Sequence, residues 1–392
     1  MEARLLTPPL KILADENLPG LQSLFAELGE LVTAPGRHLG AADLHGVDVL
    51  LVRSVTQVRA ELLQGSSVRF VGTATIGTDH VDQAYLAEQG IAFHSAPGCN
   101  AEAVVDYTLN CLWQWCQATG RDLAQQRVGI LGVGNVGSRL AQRLQALGCE
   151  LGLCDPPRQR REGGDWQSLA EILRESDIVC LHTPLTREGE DATWHLFDEA
   201  TLLQLRPGAC VLNAGRGAVI SAEAMVKVAT ARPDLSWILD VWEQEPQIDP
   251  QLLSHAFIAT PHIAGYSLEG KVRGSWMLAQ ALYAWLGLPF NQPLSSLLPE
   301  PAVAAVHLNA DADPSLPMRL IYDPFQDDRA LRALFTRSPE ERALGFDRLR
   351  REYPVRREFS SLTLSCATNQ LPRLHALGFS QAVSSAVKRV DV

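Results

Sequence analysis

The segment Gly132-Val133-Gly134-Asn135-Val136-Gly137 constrains this chain more than any other, because it directly follows the apolar run Val128 to Leu131 and opens the helical stretch Ser138 to Leu147. A glycine run of this kind is a weak signal alone. Between a strand and a helix it is a strong one: the glycines permit a tight turn, let backbone approach a pyrophosphate and allow close helix packing, while the helix N-terminus offers unpaired N–H groups to the anion. Asp155 ends the next apolar run, 18 positions beyond Gly137 (155 minus 137), close to the ~20 expected of an acid that accepts from both hydroxyls of an adenosine ribose. The same charge would repel a 2′-phosphate, and Pro156 and Pro157 follow rather than an arginine, so NAD is the expected cofactor; Arg158 and Arg160 pull the other way.

The rest of the chain reads as α/β units. Val128 to Gly132, Glu150 to Asp155, Ile178 to His182, Ala209 to Asn213, Trp237 to Val241 and Phe257 to Thr260 are expected strands, each followed by turn or helix signals, which is enough for a complete dinucleotide-binding domain. Upstream, Lys11 to Asp15, Val47 to Val52 and Val68 to Gly72 repeat the strand signal, with a helix over Leu18 to Leu28, and this first unit ends near Pro97. Ala101 to Thr119 is an expected long helix, and a second after Gly274, to about Trp285, should return the chain to the first unit. Pro289 to Pro301 reads as a linker and 302–392 as an α+β assembly or regulatory domain. The expected division is a substrate-binding domain over 1–97 and 275–288, an NAD-binding Rossmann domain over 98–274 and a C-terminal domain over 289–392.

Composition narrows the partners. With 46% hydrophobic and 20% charged residues in 392, the chain is expected to be an ordinary soluble protein of two or three domains. A formal net charge of −11 makes nucleic acid a poor partner, yet a few arginines and helix N-termini suffice to hold a small anion. Met1 to Leu10 lacks the apolar core of a signal peptide, and the longest apolar runs are strand-sized, so a cytoplasmic location without a membrane segment is expected. Eight scattered cysteines show neither a C-x-x-C pair nor close-set histidines, so they read as small buried hydrophobes, with no metal site. Cys99 lies in a glycine-containing loop but has no adjacent base, and Asn100 reads as the N-cap of the helix from Ala101.

Three segments carry the chemistry: Asn213-Ala-Gly-Arg216-Gly217, Asp240-Val-Trp-Glu-Gln-Glu245-Pro246 and Pro261-His262-Ile-Ala-Gly265. Each follows an expected strand, and in a doubly wound sheet strand C-termini converge on one crevice, so residues far apart in sequence can meet there. Oxidising a 2-hydroxy acid needs a base for the hydroxyl proton, a cation to orient the carboxylate and a nicotinamide against the carbon. His262 suits the first task, with Glu245 orienting its ring; Arg216 suits the second, its planar donor fork matching a carboxylate in a way lysine cannot.

With the glycine loop, these segments resemble the D-isomer-specific 2-hydroxyacid dehydrogenase family over roughly residues 11–285. The resemblance implies two Rossmann-like domains with the active site in the cleft between them, Arg216, Glu245 and His262 as the catalytic set, and Asp240 and Gly265 near the nicotinamide. Lys11 to Asn17, Val52 to Thr56, Phe70 to Thr75 with Gly77 to Asp82, Ala96 to Asn100, His262 to Tyr266 with Leu268 to Lys271, and the C-terminal Phe346 to Arg350, Tyr353 and Arg356 to Ser361 are similar to one branch of that family. That branch oxidises a phosphorylated four-carbon 2-hydroxy acid on the way to pyridoxal 5′-phosphate and has an extra C-terminal α+β domain that forms a homodimer. The closer likeness implies that Ser54, Thr75 and Tyr266 contact substrate and that Asp155, Thr183, Asp240 and Gly265 contact NAD. It departs in an extension before Lys11 and in Gly215, where a cysteine is common.

Arg53, beside Ser54, is a further candidate for balancing a substrate phosphate; Arg350, Arg351, Arg356 and Arg357 are alternatives from the C-terminal domain. Two rival readings stand beside this one. Another 2-hydroxyacid dehydrogenase, acting on 3-phosphoglycerate or on glyoxylate and hydroxypyruvate, would share every catalytic residue. A non-enzymatic NAD-sensing co-repressor would keep the fold, although the chain has no basic tail for it.

Overall fold

The computed structural model describes residues 9–385, so most of the N-terminal stretch from Met1 to Leu10 lies outside the described residues. It divides into two compact units, Met1–Asn100 with Ser267–Glu300 and Ala101–Tyr266 with Pro301–Val392.

The first unit holds five parallel strands, β1 (Leu10–Asp15), β2 (Gly29–Ala34), β3 (Val49–Val52), β4 (Phe70–Thr73) and β5 (Ala92–Ser95), in the order β2-β1-β3-β4-β5. The central β3 and β4 are buried at every position, as a sheet covered on both faces requires. The sequence reading missed β2 and β5, and both are edge strands. Their outer positions meet solvent, so Glu30, Thr33 and His94 interrupt the apolar run that marks their neighbours. The helix expected over Leu18 to Leu28 is shorter, Leu21–Phe25 followed by a 3₁₀ turn over Ala26–Leu28. The returning helix, Leu268–Trp285, starts earlier than expected: Ser267 caps it, its side chain accepting from the Gly270 amide.

The second unit holds β6 (Arg127–Leu131), β7 (Glu150–Cys154), β8 (Ile178–Leu181), β9 (Cys210–Asn213), β10 (Ser236–Leu239) and β11 (Ala256–Ala259). All pair in parallel, in the order β11-β10-β9-β8-β6-β7. In both sheets the chain steps from its first strand to one side and then crosses to the other. Such a reversal leaves a crevice at the strands' carboxyl ends, where ligands of open α/β sheets bind. In the second unit it falls between β6 and β8, so the glycine loop and His182-Thr183 share one rim.

The buried helix Ala101–Thr119 joins Ile130, Cys180 and Leu212 of this sheet to Met318, Tyr322, Phe359 and Leu364 in one apolar cluster. On the other side Leu331, Leu334 and Phe346 pack with Val211, Leu239 and Ala259. The C-terminal segment therefore completes the core of the six-stranded sheet, besides forming a small parallel sheet of β12 (Ala305–His307), β13 (Thr363–Cys366) and β14 (Ala382–Ser384) in sequence order. The side-chain oxygen of Asn100 makes no hydrogen bond, so the expected cap on this helix is absent. All eight cysteines are buried and outside any disulfide. Burial pushes the Cys116 thiol up to about 12 and those of Cys149 and Cys154 to about 11, which leaves them unreactive near neutral pH. No described helix is long and apolar enough to cross a membrane.

Candidate active site

The glycine loop needs its glycines for space as well as conformation. Gly132 has φ of 81°, and a Cβ there would lie 2.7 Å from the amide nitrogen of Thr183; one on Gly137 would lie 2.1 Å from the Gly132 carbonyl oxygen. Gly134 caps the helix Asn135–Ala146 without a side-chain hydrogen bond and with nothing within 4 Å of where a Cβ would be, so the helix N-terminus stays open to an anion. Asp155 accepts from the Val133 amide at 2.8 Å and from the Arg158 amide at 3.0 Å, which fixes its carboxylate at the rim of a hollow of about 420 Å³ lined by Gly134, Asn135 and Ser138. Arg158 is held by Glu162 and the Val133 carbonyl, and Arg160 by Asp191. Both guanidinium groups thus have acidic partners, and the group fixed at the rim is a carboxylate, the arrangement for a ribose diol. Across the rim, the buried Thr183 hydroxyl has no protein partner. Open N–H groups, a fixed acid and an unsatisfied hydroxyl fit NAD.

Beside Thr183, His182 keeps some exposed surface, but neither ring nitrogen reaches solvent or a hydrogen-bond partner. Burial therefore depresses its pKa from 6.5 to about 4. A histidine lowered on folding stays neutral in the native chain while the unfolded chain takes up a proton, so stability is complete above the unfolded pKa and is lost as pH falls from about 6.5 toward 4. The loss should approach ~3 kcal/mol. Urea midpoints of wild type and His182→Leu, compared across that window, test this: wild type should lose stability relative to the variant as pH falls, and a constant difference would refute it.

Arg216 follows β9 in a loop folded by Asn213, whose side-chain oxygen accepts from the Gly215 amide at 3.1 Å and whose amide donates to the Arg216 carbonyl at 3.1 Å. A Cβ on Gly217 would sit 2.0 Å from the Trp242 carbonyl carbon, so this glycine lets the Arg216 loop touch the loop after β10. That second loop contains two glutamates, and they have different partners. Glu243 pairs with His195, a pair the sequence reading did not single out. Glu245 meets His262: its Oε2 lies 2.7 Å from His262 Nδ1 and its Oε1 accepts from the Trp242 amide at 2.9 Å. Burial alone would raise the Glu245 carboxyl, but the His262 ring, the Trp242 amide and the nearby Arg350 charge outweigh it and hold the group below its usual range. An ionised carboxylate only accepts, so Nδ1 carries the proton of the neutral ring and Nε2 is left with its lone pair.

His262 sits in the left-handed region, φ 57°, which a non-glycine residue adopts only when its surroundings force it. The buried Asp240 braces the turn from the sheet side. Its Oδ1 accepts from Thr260 Oγ1 at 2.7 Å and the Ile263 amide at 2.8 Å, its Oδ2 from the Ala264 amide at 2.9 Å, and its carbonyl from the His262 amide at 2.7 Å. An expected contact between Asp240 and the nicotinamide would be a second task for this carboxylate. Gly265 ends the same turn. Tyr266, next along, packs edge-on against Tyr353 at 5.7 Å, and the Arg350 guanidinium carbon lies 5.8 Å from its ring. Arg350 was legible as part of a basic cluster; its place beside Tyr266 and Glu245 was not, because nothing local in the sequence marks it.

In the first unit, the residues expected at substrate lie just past β3 and β4. Arg53 Nε is 3.1 Å from Oδ1 of the buried Asp15 and so already serves as a counter-ion. Ser54 is exposed in the adjoining turn. Thr75 ends a chain of hydroxyls, bonded to Thr73 Oγ1 at 2.8 Å, which in turn lies 2.9 Å from His80 Nε2, and it donates to the Gly77 carbonyl at 2.9 Å.

Against this geometry, the sequence profile of the D-isomer specific 2-hydroxyacid dehydrogenase NAD binding domain matches residues 101–264, and that of a domain of unknown function (DUF3410) matches 297–378. The solved structure of an NAD⁺-bound 3-phosphoglycerate dehydrogenase from Entamoeba histolytica has the same fold, with a TM-score of 0.62 at 21% identity over 71% of this chain and 96% of that one. A protein from Pseudomonas aeruginosa (strain UCBPP-PA14) named erythronate-4-phosphate dehydrogenase is 50% identical over 361 residues, 91% of this chain and 95% of its own. One of the same name from Pseudomonas fluorescens (strain Pf0-1) is 49% identical over 355 residues, 90% and 93% of the two chains. At that identity over nearly its whole length, the chain belongs with the erythronate-4-phosphate dehydrogenases, in the D-isomer specific 2-hydroxyacid dehydrogenase family, and is an NAD-dependent oxidoreductase.

Proposed function

We propose that the chain oxidises 4-phospho-D-erythronate to (R)-3-hydroxy-2-oxo-4-phosphooxybutanoate, a step toward pyridoxal 5′-phosphate. The proton-transfer half of this reading rests on the His262–Glu245 pair at 2.7 Å, which leaves Nε2 as the atom to take the hydroxyl proton, and the substrate half on 50% identity, over 91% of the chain, to a protein named for that substrate. NAD, when bound, supplies the acceptor for the hydride on C2. Glu245 stabilises the imidazolium that forms, and Arg216 holds the substrate carboxylate and polarises the oxygen beside it. In this reading Ser54, Thr75, Tyr266 and Arg53 bind the rest of the substrate. Gly132, Gly134, Asn135, Val136, Gly137, Asp155, Thr183, Asp240 and Gly265 hold the cofactor.

The chain works as a cytoplasmic homodimer joined through its C-terminal domain. Leu316, Leu320, Leu344 and Val355, each more than half exposed, support that surface, since apolar side chains of this size gain most when a partner covers them. The domain division 1–97 with 275–288, 98–274 and 289–392 belongs to the same reading.

The direct test is loss of the 2-hydroxy acid when 4-phosphoerythronate, 3-phosphoglycerate or D-lactate is incubated with purified protein, NAD and a different 2-oxo acid that reoxidises bound NADH. Selective turnover of 4-phosphoerythronate is the expected result. Preference for either other acid would sink the substrate while leaving the family chemistry in place.

A further inference from the structure

The turn that carries His262 is gripped from two directions. From the sheet side, Asp240 takes its amides: those of His262, Ile263 and Ala264 all donate to Asp240. From the other side, one side chain takes its carbonyls. Arg356 Nη1 donates to the Ile263 oxygen at 3.3 Å, and Nη2 to the Ala264 oxygen and, at 3.3 Å, to that of Ala103 in the first turn of the buried helix Ala101–Thr119. Arg356 is buried, with its guanidinium carbon 4.5 Å from the centre of the Tyr322 ring. Tyr322 and Tyr353 in turn both donate to Asp327 Oδ2, at 3.0 and 2.8 Å.

The strand leading to the turn is held by the same C-terminal segment. β11 is the edge of the six-stranded sheet, and the amide of its last residue, Ala259, donates to Asp328 Oδ1 at 2.8 Å. Arg332, paired with Asp328, donates to the carbonyls of Leu253 at 2.9 Å and Ala256 at 2.7 Å. Residues 253–264 are thus anchored at several points by residues 328–356.

Packing alone does not explain a buried guanidinium here. Taking an arginine out of water costs several kcal/mol, and an apolar side chain of similar volume generally serves stability as well or better. What an apolar group cannot do is hold two successive carbonyl oxygens at fixed positions. That is what a residue with φ of 57° requires, because such a conformation persists only where the surroundings over-determine it. We propose that Arg356 is a positioning residue for proton transfer: by fixing the Ile263 and Ala264 carbonyls opposite Asp240, it locks the left-handed turn that presents His262 to Glu245 and substrate. The C-terminal segment then acts in catalysis as well as in assembly. This inference rests on His262 being the proton-exchanging group.

The test uses the full-length NAD-bound enzyme and its 2-hydroxy acid substrate, comparing wild type with Arg356→Lys, Arg356→Ala and His262→Asn. A displacement of about 1 Å in a catalytic group lowers turnover roughly a hundredfold. Arg356→Ala is therefore expected to lose about that factor in kcat, with KM and the NAD dissociation constant unchanged, and added guanidinium ion should restore part of the loss. Arg356→Lys keeps the charge but not the donor fork, so it should also be slow. If Arg356→Ala fails to fold, the lysine variant carries the test alone. Wild-type kcat in a folded Arg356→Lys or Arg356→Ala variant would overturn the proposal. So would a parallel loss of kcat, substrate affinity and NAD affinity, which is the signature of general loosening. Wild-type turnover by His262→Asn would instead remove the reading of the site, and this inference with it.

Discussion

His262→Ala should lower kcat by about 10²- to 10⁴-fold, the range a positioned general base contributes, while NAD affinity stays at the wild-type value. The separation follows from where the groups sit. The glycine loop, Asp155 and Thr183 belong to the rim around β6, whereas His262 follows β11 at the far edge of the sheet. Its Nδ1 is engaged by a carboxylate held below its usual pKa range, so the loss should fall on proton transfer at Nε2. Glu245→Gln should follow in the same direction, since a neutral amide neither stabilises the imidazolium nor fixes the tautomer. Steady-state kinetics beside titration of NAD fluorescence quenching check both parts. A variant that keeps kcat but loses NAD would show that the ring serves the cofactor instead.

The second large effect is expected at a residue with no side chain. Gly217→Ala would place a methyl carbon 2.0 Å from the carbonyl carbon of Trp242 and 2.6 Å from the Glu243 nitrogen. Both are backbone atoms, so no rotamer change relieves the clash, and the two loops must part by about 1 Å or more, enough to lower turnover roughly a hundredfold. One loop carries Arg216 and the other anchors Glu245 through the Trp242 amide, so a single methyl disturbs two expected catalytic residues. A fall in kcat/KM of about a hundredfold should accompany overpacking of ~1–3 kcal/mol in urea unfolding. Wild-type kinetics would mean that the loops meet more loosely than the structure has them.

The sequence makes the interior of this fold legible and its margins much less so. Strands buried on both faces have continuous apolar runs, so β3, β4, β8 and β9 stand out; β2 and β5 lie on an edge and do not. The glycine motif is readable because tight turns and close backbone approach have few solutions among amino acids. Glu245 was expected to orient the His262 ring, and the structure brings the two together, while the neighbouring Glu243 pairs with His195. Pairings across long separations left no local trace. Asp15 takes up Arg53, and Arg356 reaches carbonyls 92 and 93 positions earlier, as pairs written into the tertiary fold alone. The grouping of residues 301–385 with the six-stranded sheet was hidden for the same reason, since Met318 or Phe359 carries no label for the cluster it will join.

The grip of Arg356 on the Ile263 carbonyl spans 93 positions, and that has a consequence during synthesis. At about 5 to 20 residues per second, a ribosome that has just added Ile263 needs roughly 5 to 20 seconds to add Arg356, and longer to release it from the exit tunnel. Through that interval the glycine loop and its strands have been made, but the sheet lacks Met318, Phe346 and Phe359 from its two apolar clusters and the turn bearing His262 lacks Arg356. The six-stranded sheet and the turn that bears His262 should therefore both be completed late, by the same C-terminal segment, so that a chain cut short before Arg356 lacks the sheet's full core as well as the clamp on its proton-transfer group.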